Sequence, residues 1–277
     1  MAEPPDLNST HPQRPRWSLR TILWRAGLLL GLALFANQLR IAWLALQQHE
    51  NLGGMSFGPL IPAFVAALAL SAFQMLAWRS IMRSLCVELS LRETTEGFMI
   101  SFLPRYIPGT VWGYLSRSQW LQQDYGVGYP LSLTGSVLEA AAILMTAFAC
   151  VGLTGGPLFG GPWSIVAPGG AIVLVGLAGL LVPKGVAWAG RRFSRLAFPP
   201  APRLHAWAAA LALTVPLWLS YAVSVYAVAR AVAPAYSIDL RVSALAASAS
   251  WAVGFLVLFV PSGIGVREAI MSSTLAQ

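Results

Sequence analysis

The chain has 277 residues, 57% of them hydrophobic and 10% charged, with a mean hydropathy of +0.65. Soluble domains carry about 25% charged residues, so the composition excludes a soluble globular protein and indicates an integral membrane protein. The 18 Lys and Arg against 10 acids, net charge +8, would suggest nucleic acid in a soluble chain; here membrane topology accounts for them, and no nucleic-acid partner is expected.

Residues 1–20 hold Pro4, Pro5, Pro12 and Pro15 with Arg14, Arg16 and Arg20, and read as a disordered basic cytoplasmic tail. No small-residue cleavage site follows a short apolar core, so no removable signal peptide is read. The first predicted span, Ile22–Leu46, reads as a retained signal-anchor, and its Gly27-xxx-Gly31 spacing permits close helix packing. The second is Pro59–Met82. A long amphiphilic connection, Arg83–Gly128, follows. Spans three and four, Leu131–Leu153 and Trp163–Val182, are joined by the charge-free turn Gly155–Pro162. A polar loop, Lys184–Leu204, carries Arg191, Arg192, Arg195 and Arg203. The fifth span is Ala206–Val232, with Pro216 a predicted kink, and the sixth is Val242–Val260. Each approaches the ~20 apolar residues that cross ~30 Å of hydrocarbon.

Charge sets the orientation. Fifteen Lys and Arg fall in the tail, in 79–117, in 184–203 and at Arg267, against only Arg40, Arg230 and Arg241 on the other side. Positive charge marks the cytoplasmic side, so the N-terminus is expected inside and the protein in the plasma (inner) membrane as a multi-pass chain. The expected fold is all-α: a polytopic helical bundle of six or more spans in a transmembrane domain over 21–277, with broken or re-entrant helices near 96–120 and 261–277. The abrupt stop at Gln277 reads as a truncated seventh helix.

Two stretches interrupt the apolar pattern. The first is Arg105-Tyr-Ile-Pro-Gly-Thr-Val-Trp-Gly-Tyr-Leu-Ser-Arg117, in which Arg105 and Arg117 bracket a Pro108-Gly109 break and Trp112 suits a lipid–water boundary. Arginine grips phosphate or carboxylate with a planar fork. The simpler alternative makes these arginines snorkelling charges on the cytoplasmic face. The second is Pro261-Ser-Gly-Ile-Gly-Val-Arg-Glu268, expected on the same face. Here Pro261, Ser262, Gly263 and Gly265 allow a tight turn into a helix whose free N–H groups, with Arg267, suit an anion. Its simpler alternative is a helix connection in which Glu268 favours the first turn. Glu139, inside span three, must be paired or wetted; Arg105, Arg117 and Arg267 are its candidate partners. Ala246, Ser250 and Gly254 on span six read as a packing stripe. The candidate headgroup-binding set is thus Arg105, Trp112, Arg117, Glu139, Arg267 and Glu268.

No phosphate-binding loop, nucleophile elbow or metalloprotease helix occurs. His11, His49 and His205 are scattered, Cys86 lies in a loop and Cys150 in a span, so no metal, cofactor or disulfide is expected. No enzyme is expected either, because no nucleophile–base pair is present.

Arg105-Tyr-Ile-Pro-Gly-Thr-Val-Trp-Gly, then Tyr125-Gly-Val-Gly, Ser136-Val-Leu-Glu139 and Val260–Glu268, resemble in order and spacing the transmembrane region of the lysylphosphatidylglycerol synthase/flippase family. The resemblance spans about 20–277 and implies a flippase-like, lipid-translocating domain. It implies no synthase activity, because the aminoacyl transferase domain of some members has no counterpart here. The chain departs from the family pattern at Ser262, where glycine is frequent. The expected function is transport of a membrane phospholipid whose headgroup binds on the cytoplasmic side. The alternatives are a non-transporting anchor or partner of a lipid-modifying or glycosyl-transferring enzyme, and an embedded lipid transferase. A membrane enzyme is then an expected partner, and the small-residue stripes permit a homodimer.

Overall fold

Two long apolar helices running antiparallel form the spine of the molecule. Helix α1 (Leu60–Ser84) and helix α6 (Leu204–Val232) pack along their whole length. Backbone bonds tie both ends: Arg203 N–H donates to the Ser84 carbonyl at 2.8 Å, and Ser56 N–H to the Ala231 carbonyl at 3.0 Å. The structure is a computed structural model and describes residues 40, 56–106, 111–192, 200–234, 237–257, 263 and 265–276. The expected tail and first span, with Gly27 and Gly31, lie outside the described residues except for Arg40. So do Pro108, Gly109, Pro261 and Ser262.

Among the described residues there are eight α-helices, and four of them are long and apolar enough to cross a membrane. Besides α1 and α6 these are α4 (Tyr129–Phe159) and α5 (Trp163–Arg192). Both outrun their expected spans. The end of an apolar run marks where a helix leaves hydrocarbon, not where it stops, so Lys184, Arg191 and Arg192 continue α5 instead of opening a loop. Gly155 and Gly156, expected in a turn, belong to α4. Their missing side chains let α5 approach: a Cβ on Gly156 would lie 2.8 Å from Pro168 Cδ. The turn itself is Gly160-Gly161, both at positive φ, a conformation glycine adopts without strain.

The connection 83–128 is a helical hairpin rather than a loop. Ser90 and Glu93 form a reciprocal capping box that starts α2 (Leu91–Phe102). A 3-10 turn, Leu103–Tyr106, ends it, and α3 (Trp112–Tyr125) packs back along α2. The hairpin tip is apolar and exposed at Phe102, Leu103, Val111 and Trp112, whereas its base carries Arg92, Glu96 and Asp124. Helix α3 has 14 residues, so it reaches only ~20 Å. That is about half of α4 (31 residues), and fits a re-entrant hairpin whose apolar tip dips into the bilayer.

Helix α7 (Leu240–Leu256) starts beside the other end of α6, capped by Asp239, and α8 (Val266–Leu275) packs against it. With 17 residues α7 covers only ~26 Å, and it stops short of Val260, the expected end of a full span. The break at 257–265 therefore lies within the bundle, not on the cytoplasmic surface. The two hairpins enter from opposite ends.

Candidate functional site

The site begins with one buried ion pair. Glu139 sits about ten residues into α4, hence ~15 Å from its first turn. Neither it nor Arg117 of α3 has any exposed surface. Of the three candidate partners the structure selects Arg117, whose Nη2 donates to Glu139 Oε2 and, at 2.9 Å, to Ser136 Oγ one turn earlier on α4. Gln74 of α1, also about ten residues from its helix end, donates Nε2–H to Glu139 Oε1 at 3.3 Å. The Arg117 guanidinium lies 4.0 Å from the centre of the Trp78 ring, a separation at which the ring face attracts a cation. Helices α1, α3 and α4 are thus joined through one carboxylate.

The other two arginines follow the same plan. Arg105 stands 5.1 Å from the centre of the Phe98 ring and donates Nη2–H to Ser101 Oγ at 3.2 Å. Its stem crosses Gly113, where a Cβ would come 2.6 Å from Arg105 Cγ and 2.7 Å from the Ser101 carbonyl. Arg267 stands 5.9 Å from the centre of the Trp251 ring, and its stem crosses Gly254, where a Cβ would meet Arg267 Nε at 2.7 Å. Gly263, at φ +71°, presses onto the Gly254 backbone, so a side chain is excluded there twice over. Each hairpin therefore holds an arginine flat between an aromatic ring and a glycine of its partner helix.

All four charges meet at Tyr114. Arg105, Arg117, Arg267 and Glu139 each act electrostatically on its phenol, whose ring centre lies 5.8 Å from the Arg117 guanidinium. Arg267 and Glu268 likewise act on Tyr221 of α6. Arg105, Arg117, Glu139 and Arg267 are thus brought together around one ring. Two other candidates stand apart. Trp112 is 44% exposed at the hairpin tip. The Glu268 carboxylate accepts from Gly265 N–H and caps α8, which is the simpler role considered for it. Gly265, at φ +88°, supplies the turn.

Sequence reasoning treated Tyr114 as one interfacial ring among several and passed over Gln74, Trp78, Trp251 and Tyr221. One signal was available: Gln74 is an isolated amide in an apolar span, and Trp78 lies one turn further on the same face. Tyr114 carried no such signal, because only the fold shows which rings face inward. Among the described residues no group of three His, Cys, Asp or Glu could hold a metal ion. The arrangement offers donors and positive charge in a largely water-excluded place, which suits the binding of an oxyanion.

The family model described as "Lysylphosphatidylglycerol synthase TM region" matches residues 20–277 of the chain. No match was found among curated proteins or among solved structures.

Proposed function

The chain belongs to the lysylphosphatidylglycerol synthase transmembrane-region family and is a membrane protein related to lipid modification or transport; from that premise we propose that it translocates a phospholipid, taking the headgroup from the cytoplasmic leaflet. The observation that carries this reading is the gathering of three arginines and one glutamate around Tyr114, at the breaks of two hairpins that enter from opposite ends. Three positive charges against one favour a phosphate. Irregular backbone inside a membrane is tolerated where it lines a polar cavity, and a headgroup passing between the two tips would leave its tails in lipid. The movement involves no change in the lipid's covalent bonds. The positive charge at the ends of α1 and α5 and at the start of α6 supports a cytoplasmic face there, and hence placement in the inner membrane with the N-terminus inside.

Native mass spectrometry of the protein purified in non-phosphate detergent tests the binding step. Bound phospholipid is expected, and its occupancy should fall on the order of tenfold in Arg105→Ala and in Arg267→Ala, since each loses a charge-assisted hydrogen-bond donor. Occupancy indifferent to both substitutions would instead favour a docking protein that binds no headgroup.

A further inference from the structure

The Arg117–Glu139 pair uses only one corner of the guanidinium. Nη2 makes both printed bonds, to Glu139 and Ser136. Nε and Nη1 are buried and meet no hydrogen-bond acceptor among the described residues. The same holds for the indole Nε1–H of Trp78, the ring beneath Arg117, and for the hydroxyl of Ser132, one turn before Ser136 on α4. All three residues are fully buried. Unsatisfied buried donors are rare in folded proteins and costly, most of all on a charged group. Here they adjoin one another.

We propose that the Nε–Nη1 edge of Arg117, with the Trp78 indole N–H and the Ser132 hydroxyl, is a seat for one phosphate group, monoanionic as in a phosphodiester. The donor inventory selects this class. Arginine and tryptophan offer hydrogens and no lone pairs, so the seat asks for a ligand made of acceptors. A water molecule would bring two hydrogens of its own, with only the Ser132 oxygen to take one. The Nε–Nη edge of a guanidinium matches two oxygens of a phosphate. Charge agrees: Arg105 acts on Arg117 together with Glu139, leaving a local excess of one positive charge. The inference rests on the headgroup reading above, but it places the phosphate against residues that reading does not use.

Calorimetric titration of the whole chain in maltoside detergent tests it, with a water-soluble dihexanoyl phosphodiester lipid in one arm and inorganic phosphate in the other. Trp78→Phe keeps the ring and removes only the N–H; Ser132→Ala removes only the hydroxyl. Each should weaken binding on the order of tenfold while the melting temperature stays within a few degrees. Weakening in the lipid arm assigns the seat to a headgroup, and weakening only in the phosphate arm assigns it to free phosphate. Unchanged affinity in both arms for both variants would overturn the proposal and leave the donors to water. If these variants bind normally while Arg105→Ala and Arg267→Ala do not, only this seat falls. The reverse pattern would keep the seat and remove the Tyr114 cluster as the headgroup site.

Discussion

Arg117 and Glu139 give up their hydration on entering the bundle, and their mutual attraction offsets that loss only while both are present. Removing one strands the other. Glu139→Gln is therefore expected to destabilise the protein by about 3–5 kcal/mol, measured by denaturant unfolding in detergent. The double replacement Arg117→Met with Glu139→Leu leaves no buried charge and should recover most of that loss while abolishing lipid binding. A single variant as stable as the parent would mean that the pair does not hold α1, α3 and α4 together. Glu139 was legible in the sequence as an acid inside a span that needed a partner. Which of three arginines answered it was not, because that depends on how deeply α3 returns into the bundle.

At the scale of elements, the two hairpins are built alike and secured differently. The first is also clasped at its polar base. Arg92 donates to Glu96 at 2.8 Å across one turn of α2, and the Tyr125 hydroxyl of α3 donates to the same carboxylate at 3.1 Å. The bond from Arg92, then that from Tyr125, holds the Glu96 carboxyl below the ordinary glutamate range. A carboxyl with a depressed folded pKa stabilises fully above its unfolded pKa, about 4.3, and ceases to do so as pH falls through the folded value. Hydrogen exchange in Leu91–Phe102, corrected for its intrinsic pH dependence, should therefore rise on acidification below that range. The rise should be absent in Glu96→Gln; an identical rise in that variant would mean that Glu96 is not the titrating clasp. The breaks at both hairpins were readable from proline and glycine, and the start of α2 from Ser90-x-x-Glu93. The hairpin itself was read as a loop because α2 and α3 are too short and too polar to resemble spans. Its helical character comes from α2 and α3 packing on each other, and periodicity in either alone does not show that.

For the whole molecule, the antiparallel α1–α6 spine fixes one end for Ser84, Arg203 and the basic end of α5. Composition and the placement of Lys and Arg were enough to read a helical membrane bundle and its orientation. Arg267, counted among the cytoplasmic charges, turns out to lie at the inner break, and the asymmetry survives without it. Cys86, exposed and unbonded just past α1, reports the orientation directly. A membrane-impermeant maleimide should label it in inside-out vesicles and not in spheroplasts, and the opposite pattern would invert the topology. Such a bundle gives a phospholipid headgroup a polar route between two half-depth hairpins while its tails remain in the bilayer, and the most direct test is movement itself. With the protein reconstituted in liposomes carrying a fluorescent phospholipid, dithionite bleaching should reveal translocation well above that of protein-free vesicles. The Arg105→Ala/Arg267→Ala variant should be slowed on the order of tenfold or more. Translocation no faster than in protein-free liposomes, or undiminished in the folded double variant, would contradict the account.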